Sequence, residues 1–232
     1  MTPVQNPADP VRAELTPRDA AWPAQLRGIA GMPAALYVRG APYALARRLV
    51  AVVGTRRPSE RGRGAAHAVA ASLAAHGMGV VSGLALGVDR IAHHAALDYR
   101  GVTVAVLAHG LDTVYPTVNE YVAKRVVDAG HALVSEHPDG VAVSPQRLML
   151  RNRITSALSC GVVVVETSPD GGTMHCARFA LAQGRPVVVV RPDDPGDLDV
   201  TGADKLLTMG AVRARSTADV VAALGLAKGG AP

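Results

Sequence analysis

The stretch LVAVVGTRRPSERGRGAAHAVAASLAAHGMGVVSG (49–83) decides the fold. It opens with LVAVVG (49–54), a continuous apolar run ending in glycine, which is typical of a strand buried on both faces. Residues 59–76 are rich in alanine with helical spacing, and Ser59 is a suitable N-cap. GVVSG (79–83) has the character of a second buried strand. A strand, helix and strand in this order predict two parallel strands of an α/β sheet.

The same alternation continues toward the carboxyl end of the chain. Apolar segments predict further strands at 103–108, 132–136, 161–166 and 186–190, and helices at 87–99, 117–129, 145–160 and 173–183. Residues 202–226 predict one or two short helices around a weak strand at 211–213. The sustained alternation predicts an α/β fold with a doubly wound, mostly parallel sheet and helices on both faces.

The two ends of the chain differ from this regular region. Residues 1–20 are expected to form a loose N-terminal leader, and residues 21–47 a short packed lead-in to a domain that extends to 215. Residues 216–232 are expected to hold a short C-terminal helix and a tail that frays from 228 to 232.

Composition limits the class of protein. The chain has 232 residues, of which 49% are hydrophobic and 3% aromatic, so it can bury an aliphatic core. No apolar run reaches the ~18 residues of a membrane span, and no signal peptide is recognisable. Two cysteines are too few for a disulfide scaffold, and we expect a cytoplasmic protein with reduced thiols. The net charge of +5 favours a polyanionic partner.

Small and basic residues follow the predicted strands, where ligands bind in doubly wound folds. One interpretation is that these glycines only make tight turns, and the other is that the loops form an anion site. Two arginines in the first loop favour the anion site. Neither a G-x-G-x-x-G fingerprint nor a P-loop is present, which argues against a dehydrogenase or an NTPase. The candidate residues are Gly54, Thr55, Arg56, Arg57, Ser82, Gly83, Leu84, His109, Gly110, Gly172 and Thr173.

A second basic cluster lies in the predicted helix at 145–160. Arg147 and Arg151 are four residues apart and share a helix face, and Arg153 follows. Arginines on a tightly packed helix commonly hold a carboxylate or a phosphate. One of Arg151 and Arg153 is open to a structural role, paired with Glu136 or Glu166.

The remaining reactive side chains do not form a recognisable catalytic or metal site. His93 and His94 favour helix packing over metal binding, and Cys160 favours an inert core position. No acid–base pair or nucleophile stands out, so we expect a protein that is not an enzyme and has no cofactor and no metal.

Taken together, the motifs resemble one known family. They are WPAQLRGIAGMPAALYVRG (22–40), VAVVGTRRPSERG (50–62), VVSGLALGVDRIAHHAAL (80–97), TVAVLAHGLDTVYPTVN (103–119), LVSEHPDG (133–140), RNRITSALS (151–159), VVVVE (162–166) and GGTMHCARFALAQGRPVVVV (171–190). In this order they are similar to the DNA-processing protein A family (DprA, also called Smf), over roughly residues 21–215.

The resemblance implies an extended Rossmann-like fold that binds single-stranded DNA through a basic pocket. It implies protection of incoming DNA, loading of the RecA recombinase during natural transformation, and action as a homodimer. By motif, the family's binding residues correspond to Arg56, Ser82, Gly83, Arg151, Arg153, Gly172 and Thr173.

The sequence also departs from the family pattern. Leu148 and Met149 stand where an aromatic residue and a proline usually precede the RNR motif, and Arg61 replaces a usual tyrosine. Arg61 and Arg63 are therefore candidates to replace a lost aromatic contact. No winged-helix domain is recognisable after residue 226.

Two alternatives remain from the residues. Gly171-Gly172-Thr173 partly matches the turn of the lysine-decarboxylase-like (LOG) superfamily, which implies a nucleotide sensor or a nucleoside-monophosphate phosphoribohydrolase. The acidic residue that this activity requires is absent after Thr173. A protein-binding scaffold is the other alternative, and the arginines at the loop edge argue against it.

Overall fold

The computed structural model describes residues 12–226, which form one nine-stranded sheet flanked by helices. The strands are β1 Arg12–Leu15, β2 Leu36–Gly40, β3 Leu49–Val53, β4 Gly79–Ser82, β5 Thr103–Leu107, β6 Ala132–Ser135, β7 Val162–Val164, β8 Val187–Val190 and β9 Val212–Ala214. The helices are α1 Glu60–Ala75, α2 Val88–Asp98, α3 Glu120–Asp128, α4 Pro145–Ala157, α5 Thr173–Ala182, α6 Thr201–Thr208 and α7 Thr217–Ala223. Short 3₁₀ turns occupy Ala24–Leu26, Pro42–Ala46 and Thr117–Asn119.

The sheet is doubly wound and mostly parallel, which confirms the predicted fold class. Its strand order is β1-β2-β6-β5-β4-β3-β7-β8-β9. Every pair from β6 to β9 is parallel, whereas β1 and β2 run antiparallel to their neighbours. Helices α1, α2 and α7 pack against one face, and α4, α5 and α6 pack against the other.

Continuous apolar runs made the central strands predictable. Every residue of β3 and β5 is buried, because helices cover both faces of the sheet there. The predicted N-cap of α1 is present, since the Ser59 hydroxyl accepts a hydrogen bond from the Gly62 amide at 2.9 Å. The C-terminal segment holds two helices, α6 and α7, around the predicted weak strand.

The N-terminal region contributes two strands that the sequence did not predict. β1 lies inside the leader expected to be loose, and β2 lies inside the lead-in. β2 pairs with β6, and β1 pairs with β2. Both strands therefore extend the sheet at the edge that β6 would otherwise form. Their short mixed sequences, RAEL and LYVRG, carry little strand pattern on their own. Residues 1–11 of the leader and the tail at 228–232 lie outside the described residues.

The chain reverses its direction across the sheet between β3 and β7. From β3 it proceeds through β4, β5 and β6, and then returns through α4 to β7 on the other side of β3. Loops leaving the carboxyl ends of β3 and β7 therefore diverge, and a crevice opens between them.

Candidate nucleic-acid interface

A cleft of about 910 Å³ lies at the carboxyl ends of β3 and β7. Its walls come from the loop after β3, the first turns of α4 and the turn into α5. The lining includes Gly54, Thr55, Arg56, Arg57, Ala85, Asp89, Tyr115, Ser144, Gln146, Leu148, Met149, Arg151, Asn152, Thr167, Ser168, Gly172, Thr173, His175 and Cys176.

Arg151 is the most buried of the arginines that line this cleft. It projects from the middle of α4 and is only 6% exposed. Its Nε has no hydrogen-bond partner among residues 12–226, and no carboxylate of that range lies within 4.0 Å. Burial lowers the pKa of the guanidinium, and nearby Asp89 opposes that shift. A buried, unpaired arginine beside an open cleft is suited to an anionic ligand.

Gly83 makes room for this arginine. A Cβ at position 83 would lie 1.4 Å from Nη1 of Arg151, so the guanidinium occupies the space of a side chain. The Gly83 amide donates to Oδ2 of Asp89 at 3.1 Å, and the Ala85 amide donates to the same oxygen at 3.4 Å. Burial raises the pKa of Asp89, while Arg151 and these hydrogen bonds lower it. Asp89 thus holds the loop after β4, and the guanidinium of Arg151 packs against Gly83 of this loop.

Arg56 and Arg57 bring two more cations to the cleft from the loop after β3. The backbone of this loop is fixed, because the Thr55 amide donates to the Glu166 carbonyl at 2.7 Å. The Arg57 amide donates to the Thr55 hydroxyl at 3.2 Å. Both arginine side chains are exposed, and neither pairs with a carboxylate of the described chain. We call Arg56, Arg57 and Arg151 the cleft arginines.

The turn into α5 faces the same space. Gly172 is the N-cap of α5 and supplies no side-chain cap. The Met174 and His175 amides donate to the Gly171 and Gly172 carbonyls at 3.0 and 3.2 Å, which leaves the Thr173 amide of the first turn for a ligand. The amino end of a helix carries partial positive charge, which adds to that of the cleft arginines. The hydroxyls of Thr167, Ser168 and Thr173 border the cleft beside this turn. Three cations, a helix amino end and small hydroxyls form a cleft suited to phosphate.

Comparison with known proteins identifies the family. The model of the family described as DNA recombination-mediator protein A matches residues 13–225. The chain belongs to this family. It is 40% identical over 199 residues to Protein Smf of Escherichia coli strain K12, an alignment that covers 85% of this chain and 53% of that protein. The chain thus spans about half the length of this relative.

Two solved structures of the DNA processing protein A family share the fold. The one from Streptococcus pneumoniae has a TM-score of 0.83 and 32% identity, covering 90% of this chain and 73% of that chain. The one from Helicobacter pylori, described for its single-stranded DNA binding mode, has a TM-score of 0.81 and 29% identity, covering 92% and 95%. The recognition of the DprA/Smf family from sequence motifs is therefore confirmed.

The structure brings about half of the predicted site residues to the cleft. Those that line it are Gly54, Thr55, Arg56, Arg57, Arg151, Gly172 and Thr173. Gly83 borders a small pocket that adjoins the cleft.

Three other predicted residues lie in the core behind the cleft. Ser82 is buried and donates its hydroxyl to the Val52 carbonyl at 2.7 Å. The carbonyl of buried Leu84 accepts from Nδ2 of Asn119 at 2.8 Å. Nδ1 of buried His109 lies 2.7 Å from the Gly110 carbonyl oxygen and donates to it. These groups shape the loops and do not face the cleft.

Gly110, Arg147 and Arg153 are also engaged elsewhere. The Gly110 amide donates to the Val141 carbonyl at 2.9 Å, and Nη1 of Arg147 donates to the Ala142 carbonyl at 2.7 Å. Arg153 pairs with Glu136 at 2.5 Å, with both side chains largely buried. The expectation that one arginine of the RNR motif pairs with Glu136 agrees with this contact.

Several backbone donors expected to hold phosphate are already occupied. The amides of Thr55, Gly83 and Gly110 all donate to other groups of the protein. The Gly83 amide, which belongs to a candidate residue of the anion site, is therefore not free to hold a phosphate. The side chains of the cleft arginines and the Thr173 amide at the start of α5 remain as donors.

Several polar groups in the lining are not among the residues predicted from the sequence. Thr167 and Ser168 follow β7 directly, and Ser144 and Gln146 lie at the start of α4. The position of Thr167 and Ser168 directly after a buried strand is the sequence signal that indicates them. Glu166 caps α1, because its Oε2 accepts from the amide of Ser59 at 3.0 Å and from the Ser59 hydroxyl at 3.1 Å.

Arg61 and Arg63, the candidates to replace a lost aromatic contact, do not line the cleft. Nη1 of Arg61 donates to the Asp194 carbonyl at 2.8 Å, and Nη1 of Arg63 donates to the Pro58 carbonyl at 2.7 Å. Both side chains are committed to the region around the start of α1.

Burial keeps the two thiols and His93 in their uncharged forms at neutral pH. Burial raises the pKa of Cys176, which lines the cleft, to about 12, so its thiol stays protonated at neutral pH. Cys160 is half-buried, and burial raises its thiol pKa as well. Burial lowers the pKa of His93 to about 3, and its Nδ1 lies 2.7 Å from Oγ1 of Thr103.

Residues 12–226 contain no cluster of three or more histidine, cysteine or carboxylate side chains placed to hold a metal ion. No helix within the same residues is long and apolar enough to cross a membrane.

Proposed function

We propose that the cleft binds the phosphate backbone of single-stranded DNA, and that the protein acts as a DNA-processing protein by binding rather than by catalysis. The observation that carries the proposal is the convergence of Arg56, Arg57 and Arg151 on one cleft without a carboxylate pairing partner in the described chain. Arginine forks match phosphate oxygens, and such contacts position a strand without reading its sequence.

The geometry supports a defined arrangement of the strand. One phosphate lies over the buried guanidinium of Arg151, and the exposed side chains of Arg56 and Arg57 close over its neighbours. The Thr173 amide at the start of α5 and the Ser168 and Thr173 hydroxyls beside it donate to a further phosphate oxygen. The relative from Helicobacter pylori is described as a single-stranded DNA binder, which agrees with this arrangement.

The acids and thiols near the cleft favour binding over catalysis. Asp89 is engaged by two backbone amides, Glu166 caps α1, and the Cys176 thiol stays protonated. None of these groups has the pairing that would make it a general base or a nucleophile.

We extend the proposal to the wider role that the family name suggests. The bound strand would be protected and delivered to RecA in recombination or natural transformation, with the protein acting as a homodimer. Light scattering of the purified protein tests the dimer. DNA-dependent ATP hydrolysis by RecA, with and without this protein, tests the delivery.

The direct test is fluorescence anisotropy with a labelled single strand of about 20 nucleotides and a duplex of equal length. We expect the single strand to bind more tightly, and Arg151→Ala to weaken binding roughly 10- to 150-fold, the value of a charge-assisted hydrogen bond of about 1.5–3 kcal/mol. The matched control is Arg47→Ala, because Arg47 is exposed and precedes β3, at the amino ends of the parallel strands and opposite the cleft. Equal binding by wild type and Arg151→Ala would remove the proposal.

The turn at Gly171-Gly172-Thr173, with the Ser168 hydroxyl beside it, also fits the phosphate of a single nucleotide. Titration with nucleoside monophosphates separates this second candidate from the first. Tight binding of a monophosphate, with no measurable binding of the oligonucleotide, would favour the nucleotide sensor.

A further inference from the structure

His175 brings an imidazole ring to the wall of the cleft that α5 forms. It lies in the first turn of α5, two residues after Thr173, and it is half-buried. Its backbone amide donates to the Gly172 carbonyl, so the ring is the polar group that it can offer to a ligand. Within residues 12–226 the ring makes no hydrogen bond and no ion pair.

The charged groups around this ring are mainly cations. The charged and titratable residues that share the lining with it are Arg56 and Arg57 of the loop after β3, Asp89 of α2, Tyr115 of the loop before α3, Arg151 of α4 and Cys176 of α5. Asp89 accepts from two backbone amides, and the Cys176 thiol stays protonated at neutral pH. Outside the lining, Arg178 follows one turn along α5, and Asp170 lies 3.9 Å from Lys205. No carboxylate of the described chain pairs with the ring, so an anionic ligand is the group suited to it.

We propose that the His175 ring binds a phosphate of the strand in its protonated form, so that binding of single-stranded DNA takes up a proton and tightens as the pH falls from 8 to 6. The proposal rests on the proposed function, because it requires a phosphate in the cleft. A phosphate oxygen beside the ring stabilises the charged form of an imidazole. By linkage, the proton then strengthens binding of the strand by the same factor.

The position of His175 allows it to share a phosphate with Thr173. The two residues begin from the same turn of α5, about 3 Å apart along the helix axis. One phosphate can therefore receive the Thr173 amide and the protonated ring together. Arginine side chains ordinarily stay charged throughout this range of pH, so the cleft arginines give affinity that does not depend on pH. A comparison of wild type with a His175 variant isolates the ring, since Asp89 and the other histidines are common to both proteins.

The test is fluorescence anisotropy with a thymidine oligonucleotide of about 20 nucleotides, at pH 6 and pH 8 and constant ionic strength. Thymine bases and phosphodiesters keep their charge over this range, so a change in affinity reports on the protein. Wild type should bind more tightly at pH 6, and His175→Gln should lack about 5-fold of that gain, the increment from a neutral to a charge-assisted hydrogen bond. The salt dependence of wild type should also be steeper by about 0.7 at pH 6, as for one more phosphate neutralised, and that of His175→Gln should not.

Two variants and one spectroscopic measurement serve as controls. His175→Arg keeps a cation at this position, so it should bind tightly at both pH values without the pH-dependent gain. His76→Gln should keep the wild-type pH dependence, because His76 is exposed at the end of α1, at the amino ends of the parallel strands and opposite the cleft. The ring resonances of His175, followed by NMR through a pH titration, should show a titration midpoint that moves to higher pH when the strand is bound.

The possible outcomes separate the two proposals. If His175→Gln keeps the wild-type pH dependence while Arg151→Ala weakens binding, the role of His175 is wrong and the phosphate cleft stands. If His175→Gln weakens binding equally at both pH values, the ring supports the cleft without taking up a proton, and the proposal is again wrong. If wild type binds the strand at neither pH, both proposals are overturned.

Discussion

Gly83→Ala is a substitution whose effect the structure defines closely. The added Cβ would lie 1.4 Å from Nη1 of Arg151, 2.2 Å from Cζ and 2.3 Å from Nη2. To reach an ordinary contact of 3.4 Å, the guanidinium must move by about 2 Å. Because the obstacle is the far end of a flexible side chain, we expect the fold to survive with a loss of about 1–3 kcal/mol, as in overpacked cores.

The binding site should suffer more than the fold. A guanidinium displaced by about 2 Å loses its hydrogen bond to a phosphate, which corresponds to a roughly 10- to 150-fold weaker affinity for single-stranded DNA. The assays are urea unfolding for stability and anisotropy for affinity. Gly64→Ala is the control, because a Cβ there meets no atom within 4 Å and the change should stabilise α1 by about 0.5–1 kcal/mol.

A double-mutant cycle isolates the contact between positions 83 and 151. In an Arg151→Ala background the space over Gly83 is vacant, so Gly83→Ala should weaken DNA binding no further. The reasoning would be refuted if Gly83→Ala left affinity unchanged, or if its effect added fully to that of Arg151→Ala.

Three further predictions concern stability and reactivity. Gly62→Ala places a Cβ 1.9 Å from Oε2 of Glu166, so it should disturb the cap of α1. We expect urea unfolding to show a free energy of unfolding lower by about 1–3 kcal/mol, whereas Gly64→Ala should raise it. Equal free energies of unfolding for the two variants would contradict this prediction. His93 has a folded pKa of about 3, below the ordinary 6.5, so protons bind preferentially to the unfolded chain between these values, and stability present above pH 6.5 is lost as the pH falls. Between pH 7 and pH 5 this group should account for a loss of about 2 kcal/mol that His93→Gln removes, and an unchanged pH dependence in that variant would argue against it. Cys176, with a thiol pKa of about 12, should react with a thiol reagent at pH 8 far more slowly than a free cysteine, and fast labelling of both thiols in the folded protein would contradict the burial.

The sequence predicted the central sheet because burial on both faces leaves a local trace. β3, β5 and β7 are runs of aliphatic residues, and such runs need no knowledge of their neighbours to be recognised. β1 and β2 leave no such trace, since they exist as strands through their pairing with the edge of the sheet. Tertiary pairing decided those two elements, and short sequences do not encode it.

The sequence predicted which residue types form the site, but not which backbone amides are free to donate to a ligand. Arg151 and Arg153 stand about 200° apart around α4, so they cannot both face the cleft, and helix geometry alone could have separated them. Which backbone amides were free could not be foreseen. The acceptors of the Gly83 and Gly110 amides, Asp89 and Val141, are set by loop conformation and by distant segments of the chain.

The salt dependence of single-stranded DNA binding tests the central claim most directly. For wild type, the logarithm of the association constant should fall linearly with the logarithm of salt concentration, with a slope of about −0.7 for each phosphate contacted. Replacing all three cleft arginines by alanine should make that slope shallower by about 2, whereas Arg47→Ala should leave it unchanged. A triple variant with the wild-type slope would contradict the account, because the phosphates would then be held elsewhere on the protein.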